Sequence, residues 1–570
     1  MHREMRATIA FDCARVLSLS RNPQFMTGAP TVQVDRAIGR AARMPLIAFL
    51  AAGILLLPFY RYELSPDGIS YLSISAEYLA GYWTEAINAY WAPLYSWCIT
   101  VLLAAHVPAI LAAKVVTLGA GALAVLGLTR LSQAVEIDER FRRIFLWVGA
   151  VMVLAFVMEA NSPDLLFTAL LLWYFGLIFN PAYSSSRYSG LLCGALGALA
   201  YLAKSYGFFF FSVHFFVFSA LLWSMERDRS RRSHILRHFV AGFALFIVIS
   251  SLWVLALHRK YGTWMLSTTG DFNHRLVGPD AAGYPHLRHL ISPGTPHAIT
   301  AWENPSPSWL PTWSALSSGF NLKHQVRLVY QNAKYLFQFW TYTTPLFAAF
   351  LLGYIVVCLD MANAEFEWIY PIFTIALFCA GYLLITVEGR YFWFADLLLL
   401  WIALRTLDMI FKRRLPLRPA SLLLIAAVVL SFLISPLVTL RAHFLVDRNL
   451  YRWSEDLRQS RRLEGRLASC SDWQDSAYVA YLLEMPYYGV PAPEPDADEV
   501  ARELNPDYHP GIVSGTDQDQ IPGILSASQI DYFVMWPNCA PIWPATKETA
   551  FKAGDMQLVR LPHANESFQK

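Results

Sequence analysis

Four short segments hold ionisable side chains among residues that are otherwise apolar or aromatic. In RYELSPDGISYLSISAEYLAGYWTEAINAYWAPLYSW, from Arg61 to Trp97, Asp67 stands between Pro66 and Gly68, with Glu77 and Glu85 further along. The turn EANSPD brings Glu159 and Asp164 close together, YLAKSYGFFFF isolates Lys204, and VEGRYFWFAD carries Glu388, Arg390, Tyr391 and Asp396. A carboxylate can take the proton from a hydroxyl as that hydroxyl attacks, and a lysine or arginine can balance charge developing on a phosphate leaving group. Acids and cations gathered at the mouth of an apolar bundle are what transfer from a phosphorylated lipid requires.

Each group also has a plainer reading. Asp67 can cap a helix, and Asp164 after Pro163 can sit in the first turn of one, where the dipole favours negative charge. Lys204 can snorkel from a helix end, and Glu388 can pair with Arg390 across its turn. Neither capping nor the dipole accounts for Glu159, a second acid at membrane depth, where unpaired charge is expensive. Asp67, Glu159 and Asp164 could converge on a divalent cation, magnesium, manganese or calcium, since hard ions take oxygen ligands. His274, His286 and His289 show no metal-binding spacing. Tyr71, Tyr78, Tyr82, Trp83, Tyr90 and Trp91 read as an interfacial aromatic belt.

The elements that must position these residues follow from composition. Of 570 residues only 15% are Asp, Glu, Lys or Arg, against roughly 25% in soluble domains, while 56% are apolar types and the mean hydropathy is +0.37. Too few charges remain to cover several soluble domains, so a membrane protein is expected. The net charge of +3 is no case for nucleic acid. Residues 1–43 carry Arg3, Arg6, Arg15, Arg21, Arg36, Arg40 and Arg43 without an apolar run, a basic cytoplasmic lead and not a signal peptide. Spans are expected near 44–60, 112–130, 144–160, 164–181, 188–203, 206–224, 237–257, 341–359, 367–386, 391–410 and 419–437.

Residues 93–113 are apolar enough to cross as well, and charge parity decides against it. If they cross, the arginine-bearing loops at 130–143, 227–237 and 412–418 all fall outside; if they do not, all three fall in the cytoplasm. Residues 93–110 therefore read as a juxtamembrane or partly inserted helical segment, leaving eleven spans, the N-terminus inside and the C-terminus outside. The far side then gathers residues 61–111, a long polar loop at 258–340 and everything after 438. The expected organisation is a basic segment at 1–43, a transmembrane catalytic domain at 44–437 and an extracytoplasmic domain at 438–570. That last part has ordinary charge density, helix-like pieces at 475–483 and 498–504, and strand-like runs IDYFVMW and MQLVRL, which suggest a small α/β fold. Its Cys470 and Cys539 can be paired or free.

The segments DGISYLSISAEYLAGYWTEAINAYWAPLYSW, NSPDLLFTALLLW, GALAYLAKSYG and VEGRYFW, in that order, resemble the membrane glycosyltransferases that use polyprenyl-phosphate sugars, among them the protein mannosyltransferases and lipid A aminoarabinose transferases. The resemblance covers roughly residues 44–440. It implies a mainly α, GT-C-type bundle with juxtamembrane helices, and a polyprenyl-phosphate sugar as donor. By the same resemblance Asp67 is the base or acceptor-orienting acid, Asp164 orients acceptor or metal, and Lys204, Arg390 and Tyr391 meet the lipid phosphate. A bacterial inner membrane is the location it favours. Two departures stand out: Gly68 follows Asp67 where many relatives have a second acid, so that Glu77 or Glu85 would have to serve, and Gly389 replaces a proline.

Inverting sugar transfer to a hydroxyl of a glycan, lipid or protein is the leading reading. A lipid-diphosphate-dependent ligase or polymerase would call for more cations than Lys204 and Arg390. A transporter would place ionisable groups at mid-span on interrupted helices, and show matched repeats.

Overall fold

The computed structural model describes residues 32–134, 137–360, 366–414, 419–460, 463–510, 518–537, 539, 549–554 and 556–561. The basic lead before residue 32 and part of the loop at 412–418 lie outside the described residues.

The chain is a mainly helical, multi-pass membrane protein. Six helices among the described residues are long and apolar enough to cross a bilayer: Arg43–Tyr60 within Val32–Tyr60, Ala109–Gln133, Glu139–Glu159, Tyr206–Met225, Arg229–Tyr261 and Leu422–Ala442. A seventh is reached if Gly319–Thr343 and Phe347–Val356, bent by 102° at their junction, count as one span. The sequence reading has eleven. The difference lies in helices such as Asp164–Ile178 and Ser189–Ala203, each of 15 residues and so about 22 Å long, short of ~30 Å of hydrocarbon. Pro93–Ala104, with 12 residues, is shorter still.

Local chemistry sets the helix ends. Ser65 accepts from the Gly68 amide to cap Pro66–Ala80, which stops at Gly81 in the left-handed region. Asp138 and Asp228 cap Glu139–Glu159 and Arg229–Tyr261 in the same way. Small residues let helices touch backbone to backbone. A Cβ added at Gly194 would lie 2.0 Å from the Gly242 carbonyl oxygen, which is how Ser189–Ala203 lies directly on Arg229–Tyr261.

Two regions depart from expectation. The polar loop at 258–340 contains a 25-residue amphipathic helix, Gly319–Thr343, whose charges are spread among aromatic residues and so leave no apolar run to notice. The helix Pro419–Ala442 passes residue 437, where the membrane domain was expected to end. Beyond it, β1 (Leu467–Ser469), β2 (Tyr532–Met535), β3 (Thr549–Ala553) and β4 (Met556–Arg560) form a sheet in the order β1-β2-β4-β3, with β1 parallel to β2 and the other pairs antiparallel. Cys470, just after β1, and Cys539, just after β2, form a disulfide.

This α/β region packs onto the first segment and the long loop rather than standing apart. Trp473, Tyr478 and Leu482 of Trp473–Leu483 share an apolar cluster with Ile69, Leu72 and Trp302. Tyr71, Tyr78, Tyr90 and Trp91 are buried here too, with Tyr71 edge-on to Trp91 at 5.0 Å. Of the residues read as an interfacial belt, only Tyr82 and Trp83 are exposed.

Candidate active site

Asp67 lies in the first turn of Pro66–Ala80, and Gly68 brings that turn against the loop holding Asp164. A Cβ at position 68 would lie 3.2 Å from Asn161 Cβ and 3.3 Å from its carbonyl oxygen, so this close approach suits glycine. Asn161 in turn donates from Nδ2 to the Glu63 carbonyl, 2.7 Å away, tying the turn to the chain leaving the first span. Ser162 donates to Asp164 Oδ2 at 2.7 Å.

The four charged segments meet here. Arg390 Nη2 donates to Asp67 Oδ2 at 2.5 Å and its Nε donates to Glu388 Oε2 at 2.9 Å, while Asp164 Oδ2 lies 3.9 Å from Nε. Lys204 Nζ donates to Asp164 Oδ1 at 2.5 Å and sits 3.5 Å from the centre of the Tyr391 ring. Tyr391 donates its hydroxyl to Glu388 Oε1 at 3.0 Å and stacks on Tyr382. Three carboxylates thus face two cations. Asp164 is 5% exposed and Lys204 19%, while Glu388 is the open member at 37%. Burial works against charge on Arg390, but Asp67, Glu388 and Asp164 outweigh it and hold the guanidinium well above its ordinary range. Burial lowers the Lys204 ammonium, with Asp164 resisting.

Lys204 therefore neither snorkels alone nor stands ready for an anion without competition. Glu388 pairs with Arg390, as the plainer reading has it, and Arg390 also reaches across to Asp67. Gly389 has a packing role. It admits the Phe339 ring, which a Cβ there would meet at 2.8 Å.

Glu77 and Glu85 are not part of this cluster. Glu77 sits ten positions along the helix from Asp67, roughly 15 Å away. It accepts from Thr295 Oγ1 at 3.4 Å, and Glu85 pairs with His297 at 3.1 Å. Burial, with the Glu85 charge adding to it, raises the Glu77 carboxyl to about 7. The folded form then holds a proton that the unfolded chain releases between pH ~4.5 and ~7, so stability falls as pH rises through that window. Glu77→Gln is expected to flatten this fall, worth on the order of 2 kcal/mol, as read from melting temperatures in detergent at pH 5 and pH 8.

Glu159 is adjacent to the cluster without a hydrogen bond into it. Among the described residues no group of three or more His, Cys, Asp or Glu is placed to hold a metal ion. Asp67 and Asp164 are each bound to a cationic side chain.

Two residues were missed as members. Trp302 donates its indole N–H to Asp67 Oδ1 at 2.9 Å, fixing the oxygen that Arg390 does not hold. The sequence around it, WENPSPSW from Trp302 to Trp309, marks it only as one aromatic residue of a polar loop. Tyr284 lies near enough to Glu388 and Asp67 for their charges to add to burial in raising its hydroxyl. No pattern around it points to the site.

The fold and cluster define a class: a polytopic membrane protein with an ion-pair network at a helix-end cleft. No protein-family model and no curated protein matches the chain. Among solved structures, ArnT from Cupriavidus metallidurans in the apo state is similar with a TM-score of 0.51 at 15% identity, over 91% of this chain and 98% of that one. The same protein bound to undecaprenyl phosphate gives 0.49 at 13%, over 90% and 97%. The apo oligosaccharyltransferase of Archaeoglobus fulgidus gives 0.46 at 9%, over 86% and 69%. The likeness to apo ArnT is one of fold, along nearly the whole of both chains.

Proposed function

We propose that this protein is an inverting glycosyltransferase that moves a sugar from a polyprenyl-phosphate donor to a hydroxyl acceptor at the extracytoplasmic face of a bacterial inner membrane. The observation that carries the reading is the direct contact between Asp67, the candidate base, and Arg390, a candidate phosphate cation, with Lys204 one carboxylate away. In the reaction the Asp67 carboxylate takes the acceptor's hydroxyl proton and the acceptor oxygen bonds to the anomeric carbon. The bond from that carbon to the phosphate oxygen breaks, its electron pair staying on the phosphate, where Lys204 and Arg390 balance the charge. Tyr391 holds Lys204 on its ring face, and Trp302 keeps the base carboxylate turned toward Arg390.

We also propose the eleven-span arrangement with the C-terminal α/β region outside, on the strength of the arginine-rich loops. The fold shared with apo ArnT supports the architecture. The reading is tested by reconstituting the purified protein with undecaprenyl phosphate carrying radiolabelled sugars and a cell-envelope extract. The expected result is label transferred to extract components with release of undecaprenyl phosphate. Absence of both transfer and lipid-phosphate binding would defeat it.

A further inference from the structure

Behind the Arg390 turn the helices leave a cavity none of whose lining residues has a part in the reaction above. It is lined by Met152, Phe156 and Glu159 of Glu139–Glu159, by Gly389, Trp393 and Asp396, and by Ser435 and Thr439 of Pro419–Ala442; Thr343 and Thr344 close it at the 102° bend. Its lining holds two carboxyl groups, four hydroxyls and aromatic walls, Phe156 and Trp393 stacked at 4.6 Å, and no Lys, Arg or His. Asp396 accepts one bond, from the Trp340 indole at 2.8 Å, and Glu159 has no hydrogen-bond partner among the described residues. Glu159 is partly buried with the charges of His443 and Arg390 near it, its own acceptor sites are open, and helix capping does not account for it.

We propose that this cavity is the subsite for the saccharide of the lipid-linked donor, with Glu159 and Asp396 accepting hydrogen bonds from the sugar's hydroxyl or amino groups. The inference rests on the donor class given under the proposed function. Three observations converge on it. Carboxylates and hydroxyls beside aromatic faces suit a ring with polar edges and apolar faces. The lining excludes cations, so it suits donor groups and not a second phosphate. Gly389 lines the cavity and is the chain neighbour of Arg390, so the cavity adjoins the turn that carries the candidate phosphate cation.

The test measures, in nanodiscs, dissociation constants for bare undecaprenyl phosphate and for undecaprenyl-phosphate glucose, mannose and glucosamine, on the wild type, Glu159→Gln and Asp396→Asn. The wild type is expected to bind at least one glycosylated lipid about tenfold tighter than the bare lipid, as loss of a hydrogen bond to a charged group implies. Each variant is expected to lose most of that ratio. Using the ratio within each protein cancels any change at Arg390, and bare-lipid binding shows that the variant is folded. A ratio preserved in both variants, or absent from the wild type for all three sugars, overturns the subsite while leaving the donor class standing. A wild type that binds none of the four lipids overturns the donor class itself.

Discussion

Asp67→Asn is expected to lower sugar transfer by about a thousandfold, within the range for loss of a general base, and at the same time to tighten binding of undecaprenyl phosphate. The two effects have one cause. In the resting cluster the Arg390 guanidinium is already bound to Asp67, so an arriving phosphate must displace a carboxylate before it can use the arginine. Removing the charge at position 67 removes that competitor. The same exchange has a consequence for order: phosphate on Arg390 frees Asp67 Oδ2, so the base becomes available when the donor is in place. Trp302 would still hold the other oxygen. Turnover and lipid-phosphate affinity should be measured on one preparation. Unchanged or weaker affinity would show that Asp67 does not compete for Arg390, and near-normal turnover would remove it from the base role.

For Lys204→Ala the expected loss is in donor binding, at least about tenfold, since a charge-assisted contact to phosphate disappears. A second effect accompanies it. Asp164, 5% exposed, loses its ammonium partner; a buried acid left wholly unpaired costs about 3–5 kcal/mol, and the loss here is smaller because Arg390 stays 3.9 Å away and Ser162 still donates to it. Stability and binding must therefore be separated. In the double variant Lys204→Ala/Asp164→Asn the stranded charge is gone, so melting temperature should recover most of the loss while lipid-phosphate affinity stays low. Recovery of both would mean that Lys204 serves only to neutralise Asp164, and that the lipid phosphate is met by Arg390 alone.

Much of this cluster was legible because charge is scarce in the chain and each exception is visible. Asp67, Asp164, Lys204, Glu388 and Arg390 come from segments far apart in sequence, and the structure brings them within ion-pair distance of one another. What spacing does not carry is which partner each takes. Arg390 pairs with its neighbour Glu388 and with Asp67, 323 positions away, and only the second contact joins the candidate base to the candidate phosphate site. Trp302 was hidden for a like reason: an indole N–H is a single donor, and nothing in a tryptophan-rich loop says where it points. Glu77 shows the converse. Its helix was correctly placed, but ten residues of helix carry it to a different surface, beside Thr295. The C-terminal sheet was half legible. β2 and β4 announce themselves as apolar runs, whereas the three-residue β1 is too short for any pattern to emerge.

The contact between Gly68 and Asn161 has a mechanical side. It clamps the start of one helix to the turn before another, so the two acids at positions 67 and 164 ride on a single frame, further tied at Glu63. The arginine rides on a short 3-10 turn, Gly389–Phe392, whose own footing is an aromatic ring at Phe339. The acids and the arginine therefore stand on separate footings: Asp67 and Asp164 share one backbone frame, and Arg390 is carried on a turn of its own.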